Sequence, residues 1–197
     1  MSPVRPIAIG DALLRLAERA WVQQEKERYA AAFMPFQVGV GVRGGLNMWA
    51  TTVECLLQRN PGFALVSIDI ENCFNAIDRD RLIDECLAST EPGIRVLARY
   101  VERTYPPGMV AYAEISGRWR ELQMSRGLAQ GRPLSCVLAA VLLQPCLKAA
   151  QVAMAEASGR TLEQAQCELG CGAYLDESRR PCFRQIFTCD VKVTKSW

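Results

Sequence analysis

Two acidic stretches, far apart in the chain, carry the side chains best suited to binding a hard cation. Asp69 ends an apolar run that begins at Phe63, and Asp176 and Glu177 stand together much later in the chain. Carboxylate oxygens are the ligands that Mg²⁺ prefers in proteins. A single carboxylate at a strand end is more often a helix cap or a loop acid. The chemistry therefore depends on whether the second stretch meets the first.

The composition excludes several other kinds of chemistry. The 197 residues include no histidine, which removes Ser-His and Cys-His nucleophiles and all histidine metal sites. Nine cysteines without a C-x-x-C pair or a signal peptide predict reduced thiols and argue against a zinc site. The longest apolar run, Cys136 to Leu143, is too short to span a bilayer. We therefore expect an intracellular protein without a membrane segment, and the sequence does not distinguish nucleus from cytoplasm.

Charge gives little further information about partners. The net charge of +2 is too small to indicate a nucleic-acid binder. The last twenty residues are more basic, with five Lys and Arg residues against Asp190 alone. Such a segment can contact phosphate, although a solvated tail is the commoner outcome.

The elements that would position the acidic stretches alternate between helix and strand. Apolar spacing and turn residues predict helices over Asp11 to about Ala31, Leu46–Gln58, Arg79–Ala88, Ile94–Arg103 and Ser135 to about Ala157, the last capped by Ser135. The predicted strands are a buried strand Phe63–Ile70, a hairpin of Val110–Ile115 with Trp119–Met124, and a final strand over residues 172–177. This order predicts an α+β fold.

A glycine-rich segment, Gly39–Gly45, matches the G-x-G-x-x-G pattern of dinucleotide-binding loops. That pattern needs a strand before it and an acidic residue about 20 residues after it. Met34–Val38 is a poor strand because it contains Pro35, and Gln58–Phe63 contains no acidic residue. We therefore favour an ordinary loop over a cofactor site.

Taken together, five segments resemble a known family, the reverse transcriptases, and most closely those of non-LTR retrotransposons and group II introns. Ser67–Asn75 resembles the first metal-binding motif, Gln130–Leu134 the loop usually written Q-G-D-P-L, and Ala173–Glu177 the Y-x-D-D hairpin. Arg5–Ile7 and Phe36–Val40 resemble segments of the fingers. The resemblance covers most of the chain from Arg5 to Glu177, in the family's order.

The resemblance implies a polymerase palm-and-fingers fold, incomplete at both ends. Residues 1–62 would belong to the fingers, residues 63–177 to a catalytic palm, and residues 178–197 to an unrelated or frameshifted basic tail. It implies an enzyme, an RNA-directed DNA polymerase, that uses an RNA template, a primer and dNTPs. Two Mg²⁺ ions, or Mn²⁺, would assist the transfer.

The same resemblance assigns roles to individual residues. The implied metal ligands are the carboxylates of Asp69 and Asp176 and the main-chain carbonyl of Ile70, with Glu177 beside them in the catalytic hairpin. Phe74 would contact the sugar of the incoming nucleotide and select dNTP; the alternative is a buried ring that packs the following helix. The remaining substrate contacts would be Gln130, Gly131 and Arg5.

The chain departs from the family pattern at three places. Glu177 replaces the second aspartate of the hairpin, and Arg132 stands where the family usually has aspartate. From Ser178 onward the resemblance ends, and Pro181 is expected to interrupt the strand that should return from the hairpin. These departures leave an alternative from a different class: a catalytically dead, reverse-transcriptase-like module that binds nucleic acid or a protein partner.

Overall fold

The computed structural model describes residues 10–70, 72–168, 171–176 and 182–190. Their helices and strands, in chain order, are α1 Ala12–Gln24, α2 Lys26–Phe33, α3 Gly45–Arg59, β1 Phe63–Asp69, α4 Cys73–Ala76, α5 Arg79–Ala88, α6 Pro92–Thr104, β2 Val110–Ile115, β3 Arg118–Gln123, α7 Pro133–Ser158, α8 Leu162–Glu168, β4 Cys171–Asp176 and β5 Cys182–Asp190. Mixed helices and antiparallel strands confirm the α+β prediction.

Local sequence signals explain most of the helix boundaries. Asp11 caps α1 by accepting hydrogen bonds from the main-chain N–H groups of Leu13 and Leu14, at 2.9 and 3.1 Å. Asp78 caps α5 in the same way. The single long helix expected up to Ala31 is instead two helices that divide at Glu25. Ser135 is not the cap of α7, because that helix already begins at Pro133.

The chain divides into two compact units. The first contains residues 1–29 and 72–142, and the second contains residues 30–71 and 143–197. In the first unit, α5 and α6 pack together through Leu82, Leu97 and Val101, none of which is exposed. The first unit also contains the β2–β3 hairpin, whose two-residue turn has positive φ at Ser116 and Gly117, as a type I′ turn requires.

The second unit contains a three-stranded sheet of order β1-β5-β4, antiparallel throughout. This sheet corrects the expectation that Pro181 interrupts the return strand. Pro181 precedes β5, which begins at Cys182 and pairs with β1 on one side and β4 on the other. Proline lacks the N–H that a ladder needs, and just before a strand this lack costs no pairing.

The prediction that β1 is a buried strand is wrong. Leu65, Val66 and Ile68 are 44%, 44% and 45% exposed. They belong to both faces of the strand, and β1 lies at the edge of the sheet. A continuous apolar run is thus compatible with a strand whose residues on both faces are partly exposed.

Helix α3 packs against the sheet through Trp49, which is buried with Val38 and Val53. A Cβ atom added at Gly172 in β4 would lie 2.5 Å from the Trp49 ring. Because no larger side chain fits at this position without moving the ring, glycine is what permits the close approach of helix and strand.

One helix in the described part of the chain, α7, is long and apolar enough to cross a membrane by length and composition alone. The uninterrupted apolar run inside it, Cys136 to Leu143, is shorter than a membrane span, and the expectation of no membrane segment stays a prediction. The core helix of a soluble protein passes the same test. In α7, Leu138 and Leu147 are fully buried, and Gln144 bonds Gln37 at 2.7 Å and the carbonyl oxygens of Ala32 and Phe33.

Candidate functional site

Asp69 and Asp176 end two strands of the same sheet. β1 and β4 both pair antiparallel with β5, so they run parallel to each other and finish at the same end. Asp69 and Tyr174 both lie opposite Arg184, and Asp176 is two residues beyond Tyr174. Directly paired residues share a face of a sheet, as do alternate residues along a strand. The positions of both aspartates and of Arg184 therefore lie on one face.

The two aspartates do not end adjacent strands. β5 separates β1 from β4. Strands are spaced about 4.8 Å apart, so two spacings, ~10 Å, separate the two main chains. Mg²⁺ binds oxygen at about 2.1 Å. The common face and the carboxylate donors are compatible with a divalent cation, whose binding here stays a prediction.

Several of the predicted site groups lie outside the described residues. These are Arg5 and Glu177, together with the side chains of Asp69 and Asp176. Ile70 directly follows β1, and the metal-binding role of its carbonyl stays a prediction. Among the side chains that are described, no group of three or more histidine, cysteine, aspartate or glutamate residues could hold a metal ion. Cys55, Cys86, Cys146 and Cys171 are free thiols.

Phe74 lies in the first unit, in the short helix α4, and its side chain is only 4% exposed. Its carbonyl oxygen accepts a hydrogen bond of 2.7 Å from the N–H of Leu128, and the N–H of Gly127 donates to the carbonyl of Ile77 at 2.8 Å. Such burial fits the packing alternative for the ring. The role of Phe74 toward a nucleotide stays a prediction, and its main chain is tied directly to the loop that contains Gln130.

This loop, residues 126–132, comes very close to α4. Gly127 has a φ of +84°, and a Cβ added there would lie 2.6 Å from the carbonyl oxygen of Asn75. Gln130 is 5% exposed, and its Oε1 atom is buried without a hydrogen-bond partner in the described part of the chain. Gly131 is exposed and has a φ of +93°. A buried amide oxygen without a partner remains available to accept a hydrogen bond.

Arg79 anchors one end of the loop. Its Nε and the two terminal guanidinium nitrogens donate to the carbonyl oxygens of Gly127, Met124 and Arg126, at 2.9, 2.9 and 3.2 Å. The guanidinium carbon also lies 5.1 Å from the centre of the Tyr105 ring. Burial lowers the pKa of Arg79, and the nearby Tyr105 opposes that effect. Three carbonyl bonds from one rigid fork hold three points of the main chain at once.

Arg132 anchors the other end through a buried ion pair with Glu18 of α1. Both side chains are almost completely buried, and Nε of Arg132 donates to Oε1 of Glu18 at 2.8 Å. A second nitrogen of Arg132 donates to the same oxygen and to the hydroxyl of Tyr100, which itself donates to Glu18. The positive charge at position 132 is therefore compensated inside the first unit.

The surroundings of Arg132 keep it charged. Burial alone would lower the pKa of Arg132, but the hydrogen bond to Glu18 and the neighbouring Tyr105 and Tyr100 raise it above its usual value. Its guanidinium carbon lies 5.3 Å from the centre of the Tyr105 ring and 5.8 Å from that of Tyr100. Burial and the bond to Glu18 also raise the pKa of Tyr100. Arg132 thus remains charged across the physiological pH range.

The sequence contained a signal for this network that motif matching does not detect. Glu18 lies among the apolar positions of α1, and Arg132 lies between glycine and proline just before an apolar helix. Charged residues are rarely fully buried unless they are paired. An isolated acid and an isolated base in apolar contexts are therefore candidates to form an ion pair with each other, although 114 residues separate them.

Comparison with known proteins adds no identity to this geometry. No protein-family model matches the chain, and no curated protein is significantly similar to it.

Proposed function

We propose that this chain is the fingers-and-palm part of an RNA-directed DNA polymerase that adds dNTPs to a primer 3′-hydroxyl on an RNA template. In this proposal Asp69, Asp176 and the Ile70 carbonyl bind Mg²⁺ or Mn²⁺. The nucleotide and the template are contacted by Phe74, Gln130, Gly131 and Arg5, and Glu177 stands beside the metal ligands.

The observation that supports this proposal best is the register of β1, β5 and β4. The family's catalytic hairpin requires a return strand after its aspartate, and β5 is such a strand. The pairing of β5 with β1 also brings the end of the first motif to the same end of the sheet as Asp176. If the two acidic motifs resembled the family only by chance, nothing would require the strand order β1-β5-β4.

The chemistry needs little from the protein beyond charge and position. Nucleotidyl transfer depends on orienting the hydroxyl and the triphosphate and on neutralising the charge that develops. Bound Mg²⁺ supplies that neutralisation. The two aspartates hold negative charge at one sheet end, while Phe74 and Gln130 belong to a loop and helix joined by main-chain hydrogen bonds. Substitution of the two aspartates should therefore affect different kinetic constants from substitution of Phe74 or Gln130.

Primer extension on an RNA template with Mg²⁺ tests the proposal. We expect Asp69→Asn and Asp176→Asn each to reduce incorporation by at least about 100-fold, since each removes a charged ligand. Asp84→Asn is a matched control, because Asp84 is an exposed aspartate of α5. Incorporation that survives both site substitutions would refute the assignment of the two aspartates.

One observation favours the second candidate function, a module that binds nucleic acid without catalysis. Arg184 lies opposite Asp69 and on the same face as both aspartates. A guanidinium at that position would offset part of the negative charge that attracts a divalent cation, and it would suit phosphate instead.

Template–primer binding, measured by fluorescence anisotropy, separates the two candidates. A binding module should bind with or without Mg²⁺, show no incorporation, and lose affinity in Arg184→Gln. A polymerase should incorporate dNTPs, and in that case Arg184→Gln should not abolish incorporation. Arg95→Gln, a substitution of an exposed arginine on α6, controls for loss of overall charge.

A further inference from the structure

Two arginines hold the loop of residues 126–132 from opposite ends and share one aromatic ring between them. The guanidinium carbons of Arg79 and Arg132 lie 5.1 and 5.3 Å from the centre of the Tyr105 ring. The Tyr105 hydroxyl accepts a hydrogen bond of 3.3 Å from the N–H of Ala129. We call this group, Arg79, Tyr105, Arg132 and Glu18, the arginine clamp.

The clamp brackets Gln130 and Gly131 on both sides. On the near side, the Ala129 N–H is bound by Tyr105, and the Ala129 carbonyl oxygen accepts a hydrogen bond of 2.8 Å from the hydroxyl of Ser135. On the far side, Arg132 is fixed by its side chain. Gln130 and Gly131 lie between these fixed points, and the Oε1 atom of Gln130 is buried without a hydrogen-bond partner in the described part of the chain.

The clamp also ties the loop to Phe74. Arg79, the first residue of α5, binds two carbonyl oxygens of the loop, those of Arg126 and Gly127, and the carbonyl oxygen of Met124 shortly before it. The Leu128 N–H donates to the carbonyl of Phe74. Phe74 and Gln130 therefore belong to one hydrogen-bonded frame, whose far end is closed by the ion pair of Arg132 with Glu18.

We propose that Arg132 is a positioning residue that fixes Gln130 relative to Phe74 through its ion pair with Glu18. The proposal rests on the proposed polymerase function for its kinetic consequence, but its structural consequence is independent of that function. Arginine at position 132 would therefore be a structural replacement for the family's aspartate, made possible by the acid in α1. It does not touch the reacting groups.

Three variants separate positioning from stability. Arg132→Met removes the clamp and leaves the Glu18 carboxylate buried without its cation, which destabilises the fold. Glu18→Gln combined with Arg132→Met removes both charges, so stability should recover while the loop stays released. Arg132→Lys keeps the charge but loses the planar fork, and gives an intermediate variant if the others fold poorly.

Two measurements read out the effect. Hydrogen–deuterium exchange of peptides covering residues 126–132 should be at least about tenfold faster in Arg132→Met and in the double variant, because both lose the buried bonds. Peptides of the β2–β3 hairpin, none of whose residues belongs to the clamp, serve as the internal control in the double variant. In primer extension, the KM for dNTP should rise by about tenfold in the double variant, with kcat changed much less, because positioning of substrate is what is lost.

The outcomes distinguish this proposal from the proposed function. If loop exchange and KM return to their wild-type values in the double variant along with stability, the positioning role is wrong. If the wild-type chain incorporates no dNTP, the polymerase proposal fails, and exchange in the double variant alone decides the clamp. Normal incorporation with unchanged loop exchange would refute the clamp and leave the polymerase proposal standing.

Discussion

The close approach of Gly127 to α4 gives a quantitative test of the site's local geometry. Gly127 is buried, has a φ of +84°, and leaves no space for a Cβ atom, which would lie 2.6–2.9 Å from three main-chain atoms of Asn75. Main-chain atoms cannot rotate away as a flexible side chain can. We therefore expect Gly127→Ala to shift either the loop or α4.

Gly108 is a matched control in the same unit. Its φ is +76°, close to that of Gly127, and nothing lies within 4 Å of its Cβ position. Gly108→Ala should cost about 1–2 kcal/mol, the penalty of the left-handed conformation for a residue with a Cβ. Gly127→Ala should add an overpacking cost of about 1–3 kcal/mol to that penalty. The difference between the two variants isolates the steric contribution.

Urea unfolding followed by circular dichroism, with the midpoint and slope fitted for each variant, measures this difference. We expect Gly127→Ala to be less stable than Gly108→Ala by about 1–3 kcal/mol and to show faster amide exchange in residues 126–132. Equal loss of stability in the two variants would show that the loop does not approach α4 as described. The frame that joins Phe74 to Gln130 would then be wrong as well.

Three further predictions concern other buried groups. Burial raises the pKa of the Cys86 thiol to about 12, so iodoacetamide should label exposed Cys55 well before Cys86 at pH 8. An unfolded thiol ionises near pH 9 and the folded Cys86 near pH 12, so the contribution of the Cys86 thiol to stability is intact below pH 9 and declines between pH 9 and pH 12. If the stability of the wild type relative to Cys86→Ala rises over that interval, this reasoning is wrong. Gln144→Leu should cost about 1–3 kcal/mol in thermal or urea unfolding, because it leaves carbonyls of α2 without their donor, whereas Gln166→Leu at an exposed position should be nearly neutral. Gly172→Ala should displace the Trp49 ring and change the tryptophan emission spectrum, an effect that should be absent when Trp49 is already replaced by Phe.

The sequence predicted the elements whose causes are local. The Asp78 helix start, the hairpin and the helix after Gly45 all follow from caps, turns and apolar spacing. It did not predict β5, because Pro181 suggested an interruption and the strand's pairing partners are distant in sequence. Pairing energy from two neighbouring strands overrides a weak local signal.

The interior of the first unit shows the same limit. In α1, the apolar residues Leu13 and Leu16 are 77% and 65% exposed, whereas Glu18 is buried. Helical spacing alone cannot identify a buried acid, because its stability depends on Arg132, far along the chain. The carboxylate pair of the candidate site is a prediction from motifs, whereas the contacts around Gln130 are visible only in the structure.

The central place of β5 has a consequence for how the protein is made. β1 leaves the ribosome more than a hundred residues before its partner, since Phe63 pairs with Asp190 and Asp69 with Arg184. Until β5 emerges, β1 has no partner strand in the sheet, and its Leu65, Val66 and Ile68 form an apolar segment of high β-propensity. Such long-range pairing is slow, and the chain is prone to aggregation until β5 has paired with β1. Co-expression with a chaperone that shields extended apolar segments should therefore raise the yield of folded protein more than lowering the synthesis rate alone.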